Sequence, residues 1–159
     1  MEEFNRAYNI IYFSAAIIGL FFALSLDVKK FQWNRLGYLL SLFFLLLLAI
    51  LVGWRSEDVG SDTIMYSWQY NHVEHMDDRE PVFKSLIRFL NVFSSNHQVL
   101  LVVMAVLFYS LFAIFLRYRN ENVNTYLLFL FFLSLFSFKS LGINIIRQGV
   151  SLMFLLNAY

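Results

Sequence analysis

The sequence predicts an all-α fold, a polytopic α-helical membrane protein with four to five transmembrane helices and one interfacial amphipathic helix. Sixty per cent of the residues are hydrophobic and 14% are charged, whereas a soluble domain is nearer half apolar and a quarter charged. The apolar residues form long blocks and do not alternate with polar ones as in a half-buried strand. One polar stretch, residues 55–81, holds seven of the eleven acidic residues and the only proline.

The apolar blocks define the predicted spans. The first block lacks charge and would rise about 26 Å as a helix, close to the roughly 30 Å core of a bilayer. The N-terminus lacks the basic run and cleavage site of a signal peptide, so this block is retained as a span. The last block is too short to cross, so we expect an N-terminal fragment of a longer protein that is inactive alone. The predicted spans are residues 10–26, 36–54, 98–116 and 125–139, with an incomplete fifth at 143–159.

An outer polar loop, 55–81, and an interfacial helix, 82–95, are predicted between the second and third spans. Lys84, Arg88 and Asn91 recur at helical spacing among apolar residues. The segment is too short and too charged to cross easily. We therefore expect it to lie on the membrane surface.

The basic residues of the short loops predict the orientation. Residues 27–35 carry three Lys or Arg and residues 117–124 carry two, which favours a cytoplasmic position for both loops. The N-terminus and residues 55–97 are then extracytoplasmic. A net charge of +1 without a basic stripe gives no sign of nucleic acid binding, and the lack of cysteine excludes disulfides and thiolate metal sites.

Two arginines are candidates for binding phosphate. Arg55 directly follows Trp54, so we expect its guanidinium at the outer membrane surface, where it pairs either with a substrate phosphate or with ordinary phospholipid. Arg147 lies at the start of the last apolar run. A cation at membrane depth is costly and is by default a functional candidate, with an ordinary interfacial position as the alternative.

The carboxylates of the polar stretch are candidates for a general base. Asp58 and Asp62 flank Gly60, which permits a left-handed turn. Either these residues form a turn, after which Asp62 or Ser61 caps the following helix, or one carboxylate accepts a proton from a sugar hydroxyl. Glu80 either caps the interfacial helix or faces the arginine site. Tyr66 suits a sugar face and equally an interfacial aromatic belt.

The segment HVEHMDD does not predict a metal site. Its spacing matches neither HExxH nor HxxEH, so a solvated loop is favoured. We expect no metal and no cofactor. The candidate ligands are His72, Glu74, His75, Asp77 and Asp78.

The order of four motifs resembles the EpsG-like family, Wzy-type polymerases of bacterial exopolysaccharide and capsule. The motifs are Arg55 after the second span, DVGSDTIMY at 58–66, EPVF at 80–83 and NIIRQGV at 144–150. Ser61 and Thr63 depart from the family's threonine and tyrosine. The matching residues are Gly60, Asp62, Tyr66, Glu80, Pro81, Asn144, Arg147 and Gln148.

The resemblance implies transfer of a polyprenyl-pyrophosphate-linked oligosaccharide onto another, on the outer face of the bacterial cytoplasmic membrane. Arg55 and Arg147 would clamp the pyrophosphate, and Asp62 or Glu80 would be the catalytic base. Membrane lipid is an expected partner, with chain-length regulator and flippase proteins as further candidates. The other implied substrate-binding residues are Gln148, Asn144, Tyr66, Asp58 and Gly60.

Two alternatives remain open. One is a flippase or transporter segment for lipid-linked sugars, which predicts charges inside the spans. The other is a non-catalytic membrane remnant.

Overall fold

The computed structural model describes residues 2–24, 30–76, 80–119 and 124–158. These residues form α-helices joined by turns and one short 3₁₀ helix, with no strand among them, which confirms the all-α prediction. The helices are α1 (Glu2–Leu24), α2 (Lys30–Gly53), α3 (Thr63–Asn71), a 3₁₀ turn (Val73–His75), α4 (Pro81–Asn91), α5 (Gln98–Arg119), α6 (Thr125–Ser134), α7 (Phe136–Ile143) and α8 (Ile146–Ala158).

Helices α2 and α5 form the centre of the fold. By length and composition, Arg35–Gly53 of α2 and Gln98–Tyr118 of α5 could each cross a membrane. The two helices pack on each other, α8 packs on α5, and α6 packs on α2 with α1 alongside. Leu48 of α2 and Phe108 of α5 are fully buried. The larger span count predicted from the sequence stays a prediction.

The predicted fourth span, 125–139, is divided into two helices. Helix α6 ends at Ser134, Leu135 has extended backbone angles, and α7 begins at Phe136. Each helix is about 15 Å long or shorter at 1.5 Å per residue. Neither alone matches the bilayer core of roughly 30 Å.

Helices α7 and α8 approach each other closely at Gly149. A Cβ atom at this position would lie 2.7 Å from the carbonyl oxygen of Leu141 and 3.0 Å from the Phe108 ring. Phe108 is ten residues into α5, or about 15 Å from its start. The first turn of α8 therefore lies beside the middle of α5.

The polar stretch packs over the adjoining ends of α2 and α5. The Gln98 side chain donates a hydrogen bond to the Gly53 carbonyl at 2.6 Å. The Tyr70 hydroxyl of α3 donates to the Ser94 carbonyl at 2.7 Å, and Asn91 of α4 donates to the Tyr70 carbonyl at 3.2 Å. These bonds fix α3 and α4 above the helix pair.

Helix α4 buries one side, which includes a lysine, and leaves apolar residues exposed on the other. Lys84 is buried, and its ammonium donates to the Met76 carbonyl at 3.0 Å. On the opposite side Val82, Phe89 and Phe93 are exposed. Such an arrangement suits a helix whose outer side contacts lipid.

Candidate functional site

An ion pair between Arg147 and Glu80 lies at the centre of the candidate site. Arg147 is the second residue of α8 and Glu80 directly precedes α4, and the guanidinium donates to the Glu80 carboxylate. The guanidinium also lies 4.8 Å from the centre of the Phe83 ring and 5.3 Å from that of Tyr66. Attraction between a cation and aromatic faces helps to hold the arginine in this position.

This ion pair is accessible from outside. The side chains of Arg147 and Glu80 are 25% and 45% exposed. A buried pair would be costly to open, whereas a partly solvated pair is worth roughly 0.2–1 kcal/mol. The guanidinium can therefore exchange its partner for another anion.

Neither candidate base caps a helix. Asp62 and Glu80 occupy the N-cap positions of α3 and α4, but neither carboxylate accepts a hydrogen bond from the helix backbone. Asp62 accepts a bond from the Ser61 hydroxyl at 3.0 Å, and Glu80 pairs with Arg147. The capping alternative considered from the sequence is thus wrong for both side chains.

The ion pair stands at one end of an open groove of about 590 Å³. Its walls are the first turn of α4 and one side of α8. The end at Arg147 and Gln148 is polar, and the other end is aliphatic. The lining residues are Glu80, Pro81, Val82, Phe83, Arg147, Gln148, Ser151, Leu152 and Leu155.

Arg55 is buried, so the expectation that its guanidinium lies at the membrane surface is wrong. Trp54 is 75% exposed but Arg55 only 2%, because successive residues near a helix end point about 100° apart. The Arg55 Nε donates to the Thr63 hydroxyl at 3.0 Å, and Nη1 donates to the Val52 carbonyl at 3.1 Å. The Thr63 hydroxyl in turn donates to the Val59 carbonyl at 2.6 Å.

The Arg55 side chain acts as a brace between the end of α2 and the start of α3. Burial lowers its pKa to about 10, so the group remains a cation at neutral pH. Within the described part of the chain, its Nη2 atom is buried without a hydrogen-bond partner. These contacts orient the polar loop and do not bring Arg55 into the Arg147 groove.

Gly60 and Asn144 shape the same loop. Gly60 has φ of +91°, which lies in the region that disfavours side chains. The Asn144 side chain accepts a hydrogen bond from the Ser61 amide at 3.3 Å and donates to the Ser140 hydroxyl at 3.2 Å. Gly60, Ser61 and Asn144 line a cavity of about 290 Å³. The loop around Gly60 is therefore in direct contact with the junction between α7 and α8.

Asp58 lies apart from the Arg147 groove. It is exposed and lines, with Arg55, a different cavity of about 440 Å³. Hydrogen bonds from backbone and from Ser56 lower the pKa of its carboxyl group. The Asp58 carboxylate is therefore ionised at neutral pH.

The Tyr66 ring packs against the Arg147 guanidinium. The residue is 2% exposed, and its ring packs edge-on against Phe83 with 6.0 Å between centroids. Burial raises the pKa of the Tyr66 hydroxyl, an effect that the nearby Arg147 cation opposes. Tyr66 therefore contacts the arginine and presents little surface to a sugar.

The structure thus brings together Tyr66, Glu80, Arg147 and Gln148. Phe83 and the aliphatic end of the groove were not identified as site residues from the sequence. Residues 147, 148, 151, 152 and 155 lie on one face of a helix, so their spacing is the signal that could have identified this wall.

The fold and the site define an all-α protein with two helices that could cross a membrane and a cation-lined groove beside one of them. The chain belongs to the EpsG family, whose model matches residues 38–159. This range includes every residue of the groove. Membership associates the chain with polysaccharide-related membrane proteins. Searches among curated proteins and among solved structures found no match.

Proposed function

We propose that the chain is part of a membrane polysaccharide polymerase. It would transfer a polyprenyl-pyrophosphate-linked oligosaccharide onto the sugar end of another, on the outer face of the bacterial cytoplasmic membrane. The observation that carries this proposal is the exchangeable Arg147–Glu80 pair at the polar end of a groove. It puts an anion-binding cation and a carboxylate base in contact.

The reaction needs charge stabilisation on the leaving group. An acceptor hydroxyl oxygen forms a bond to the anomeric carbon of the donor, the bond from that carbon to the pyrophosphate oxygen breaks, and prenyl pyrophosphate departs with the bonding electrons. Arg147 would bind the pyrophosphate and stabilise the charge that develops on it. Its position in the first turn of α8 adds the favourable end of the helix dipole.

The proton of the acceptor hydroxyl must pass to a base. Glu80 is the better candidate, because its carboxylate lies at the guanidinium that would hold the leaving group. Asp62 is the alternative and lies near Tyr66. When a phosphate takes the place of Glu80 on Arg147, the carboxylate is released and is free to accept the proton.

The other predicted site residues take supporting roles in this proposal. Gln148 is exposed in the groove and would contact the sugar or the phosphate. Arg55, Gly60 and Asn144 would hold the polar loop in place, and a direct clamp by Arg55 is disfavoured by its burial. No cofactor enters the scheme.

The location of α4 supports placement at a membrane surface. Its exposed apolar residues Val82 and Phe89, together with Phe93 just beyond its end, would rest on the outer leaflet, with Glu80 at the interface. Chain-length regulator and flippase proteins are the partners that such a polymerase would need. No contact in the described residues favours a transporter over a polymerase.

The test compares Arg147→Ala with Arg88→Ala in the intact gene product in its host. Arg88 also pairs with a glutamate, Glu74, at 3.0 Å, but outside the groove. Arg147→Ala should reduce the polymer to single repeat units on a gel of extracted polysaccharide, while Arg88→Ala leaves polymer length unchanged. Full-length polymer from Arg147→Ala at normal protein levels would show that Arg147 is not needed, and the proposed chemistry would fail.

A further inference from the structure

We propose that the groove between α4 and α8 binds the prenyl chain of the donor, with the phosphates at Arg147 and the chain running along α8 past Leu152 and Leu155. The inference rests on the proposed function for the chemistry of the donor. It adds where the lipid part lies and in which direction it runs.

The groove is polar at one end and apolar at the other. Arg147 and Glu80 form the polar end, whereas Leu152 and Leu155 are 39% and 59% exposed along the far wall, and Val82 opposite them is 83% exposed. A free phosphate or a nucleotide would use the first part and leave the second without a ligand. A prenyl phosphate matches both parts, because its charge lies at one end of a purely apolar chain.

The length of the wall suits the start of such a chain. Leu155 is eight residues beyond Arg147 on α8, a rise of about 12 Å. The groove would therefore hold the isoprene units next to the phosphates and leave the rest of a long prenyl chain in the bilayer.

The aliphatic wall of the groove lies beside a helix that could span a membrane. Gly149 packs against Phe108 in the middle of α5, and α5 is a helix that could span a membrane. In a bilayer crossed by α5, the aliphatic wall beyond Arg147 would face the hydrocarbon. A ligand that reaches Arg147 along this wall must itself be soluble in lipid.

The pairing of Arg147 explains how the site stays intact when empty. A cation at this depth is costly without a counter-charge, and Glu80 supplies one while the rings of Tyr66 and Phe83 add cation–π attraction. Pyrophosphate carries more negative charge than a carboxylate. It can therefore replace Glu80 on the guanidinium when the chain enters the groove.

The experiment measures binding of inorganic pyrophosphate and of farnesyl pyrophosphate to the chain in nanodiscs of neutral phosphatidylcholine. We expect farnesyl pyrophosphate to bind at least tenfold more tightly, after subtraction of its partition into empty discs. Leu152→Gln with Leu155→Gln should remove this advantage and leave the affinity for inorganic pyrophosphate unchanged. Arg147→Ala should abolish binding of both.

The matched control is Phe154→Gln, an equally exposed apolar residue of α8 that does not line the groove. It should leave the prenyl advantage intact. Equal affinity for the two ligands, or an equal loss from Phe154→Gln, overturns the proposal. Competition by phosphatidylglycerol as strong as that by farnesyl pyrophosphate also overturns it, because the groove would then accept phosphate lipids in general. Circular dichroism of each variant verifies that the helices remain folded.

These outcomes are distinct from failure of the proposed function. If the leucine variants keep the prenyl advantage while Arg147→Ala still stops polymerisation, the groove assignment fails alone. If the prenyl advantage depends on both leucines but Arg147→Ala makes normal polymer, the lipid site stands and the polymerase chemistry fails.

Discussion

Replacing Glu80 by glutamine should strengthen pyrophosphate binding while it stops polymer formation. In the empty site Glu80 occupies the Arg147 guanidinium, so any phosphate must first displace this carboxylate. Glutamine has the same shape without the charge. The substitution therefore removes both the competitor for Arg147 and a source of repulsion for the incoming anion.

The structure limits the size of the gain. Both side chains are partly exposed, at 25% and 45%, and partly solvated ion pairs contribute roughly 0.2–1 kcal/mol. Releasing Arg147 from this pair should tighten binding of inorganic pyrophosphate by about 1.4- to 5-fold. A general base contributes about 10²- to 10⁴-fold to a rate, so polymer formation should fall by a factor in that range.

Two assays separate these effects. Calorimetric titration with inorganic pyrophosphate in nanodiscs measures the affinity, and gel analysis of extracted polysaccharide measures the polymer. Asp62→Asn is the control, because it also removes a carboxylate but one that does not contact Arg147. Its affinity for inorganic pyrophosphate should equal that of the unmodified chain. An unchanged or weaker affinity in Glu80→Gln refutes the exchange. Normal polymer from Glu80→Gln would transfer the role of base to Asp62.

Two further predictions concern the polar loop, each measured as the free energy of unfolding in detergent micelles. Gly60→Ala should cost about 1–3 kcal/mol, because φ is +91° and the new Cβ would lie 3.0 Å from the Ile143 carbonyl oxygen; Ser61→Ala is the control, and equal stability of both variants would contradict this account. Thr63→Val should cost about 1–3 kcal/mol because it leaves the Arg55 Nε buried without its acceptor. Thr63→Ser keeps the hydroxyl and should restore most of that loss, so an equal cost for valine and serine would show that the hydrogen bond is not the cause.

The helices were predictable because their apolar blocks are long and uninterrupted. Composition and block length identify α2 and α5 directly, since few other structures bury so many consecutive apolar residues. The division at Leu135 was not predictable from the same signal. The residues around it are as apolar as the helices on either side, and no proline or glycine marks the break.

The site was predicted in part, and the two arginines show why. For Arg147 the sequence indicates both the start of a helix and a costly cation, and the structure shows it paired at a groove. For Arg55 the sequence indicates only the end of a span. Whether the side chain of such a residue points to lipid, water or protein depends on its rotation about the helix axis relative to α3, a tertiary relation that hydropathy does not contain.

For Glu80 the sequence left two alternatives, a helix cap or a position facing the arginine site, and did not identify Arg147 as its partner. The pair Glu80–Pro81 before an amphipathic segment marks the start of a helix. A helix cap was therefore the role that the local sequence suggested for Glu80. The pairing of Glu80 with Arg147 joins residues 67 positions apart, and only the tertiary fold, which places the starts of α4 and α8 side by side, brings them together.

The shape of the groove depends on a residue that does not line it. Gly149 stands between the polar and aliphatic ends of the α8 wall and faces the opposite way, toward the Leu141 carbonyl and the Phe108 ring. A single added methyl group would push α8 away from the Phe108 ring and shift Arg147 and Leu152 relative to Glu80 and Val82. The close packing behind Gly149, which leaves no room for one more carbon atom, therefore sets the width of the groove from a position that no ligand in it would touch.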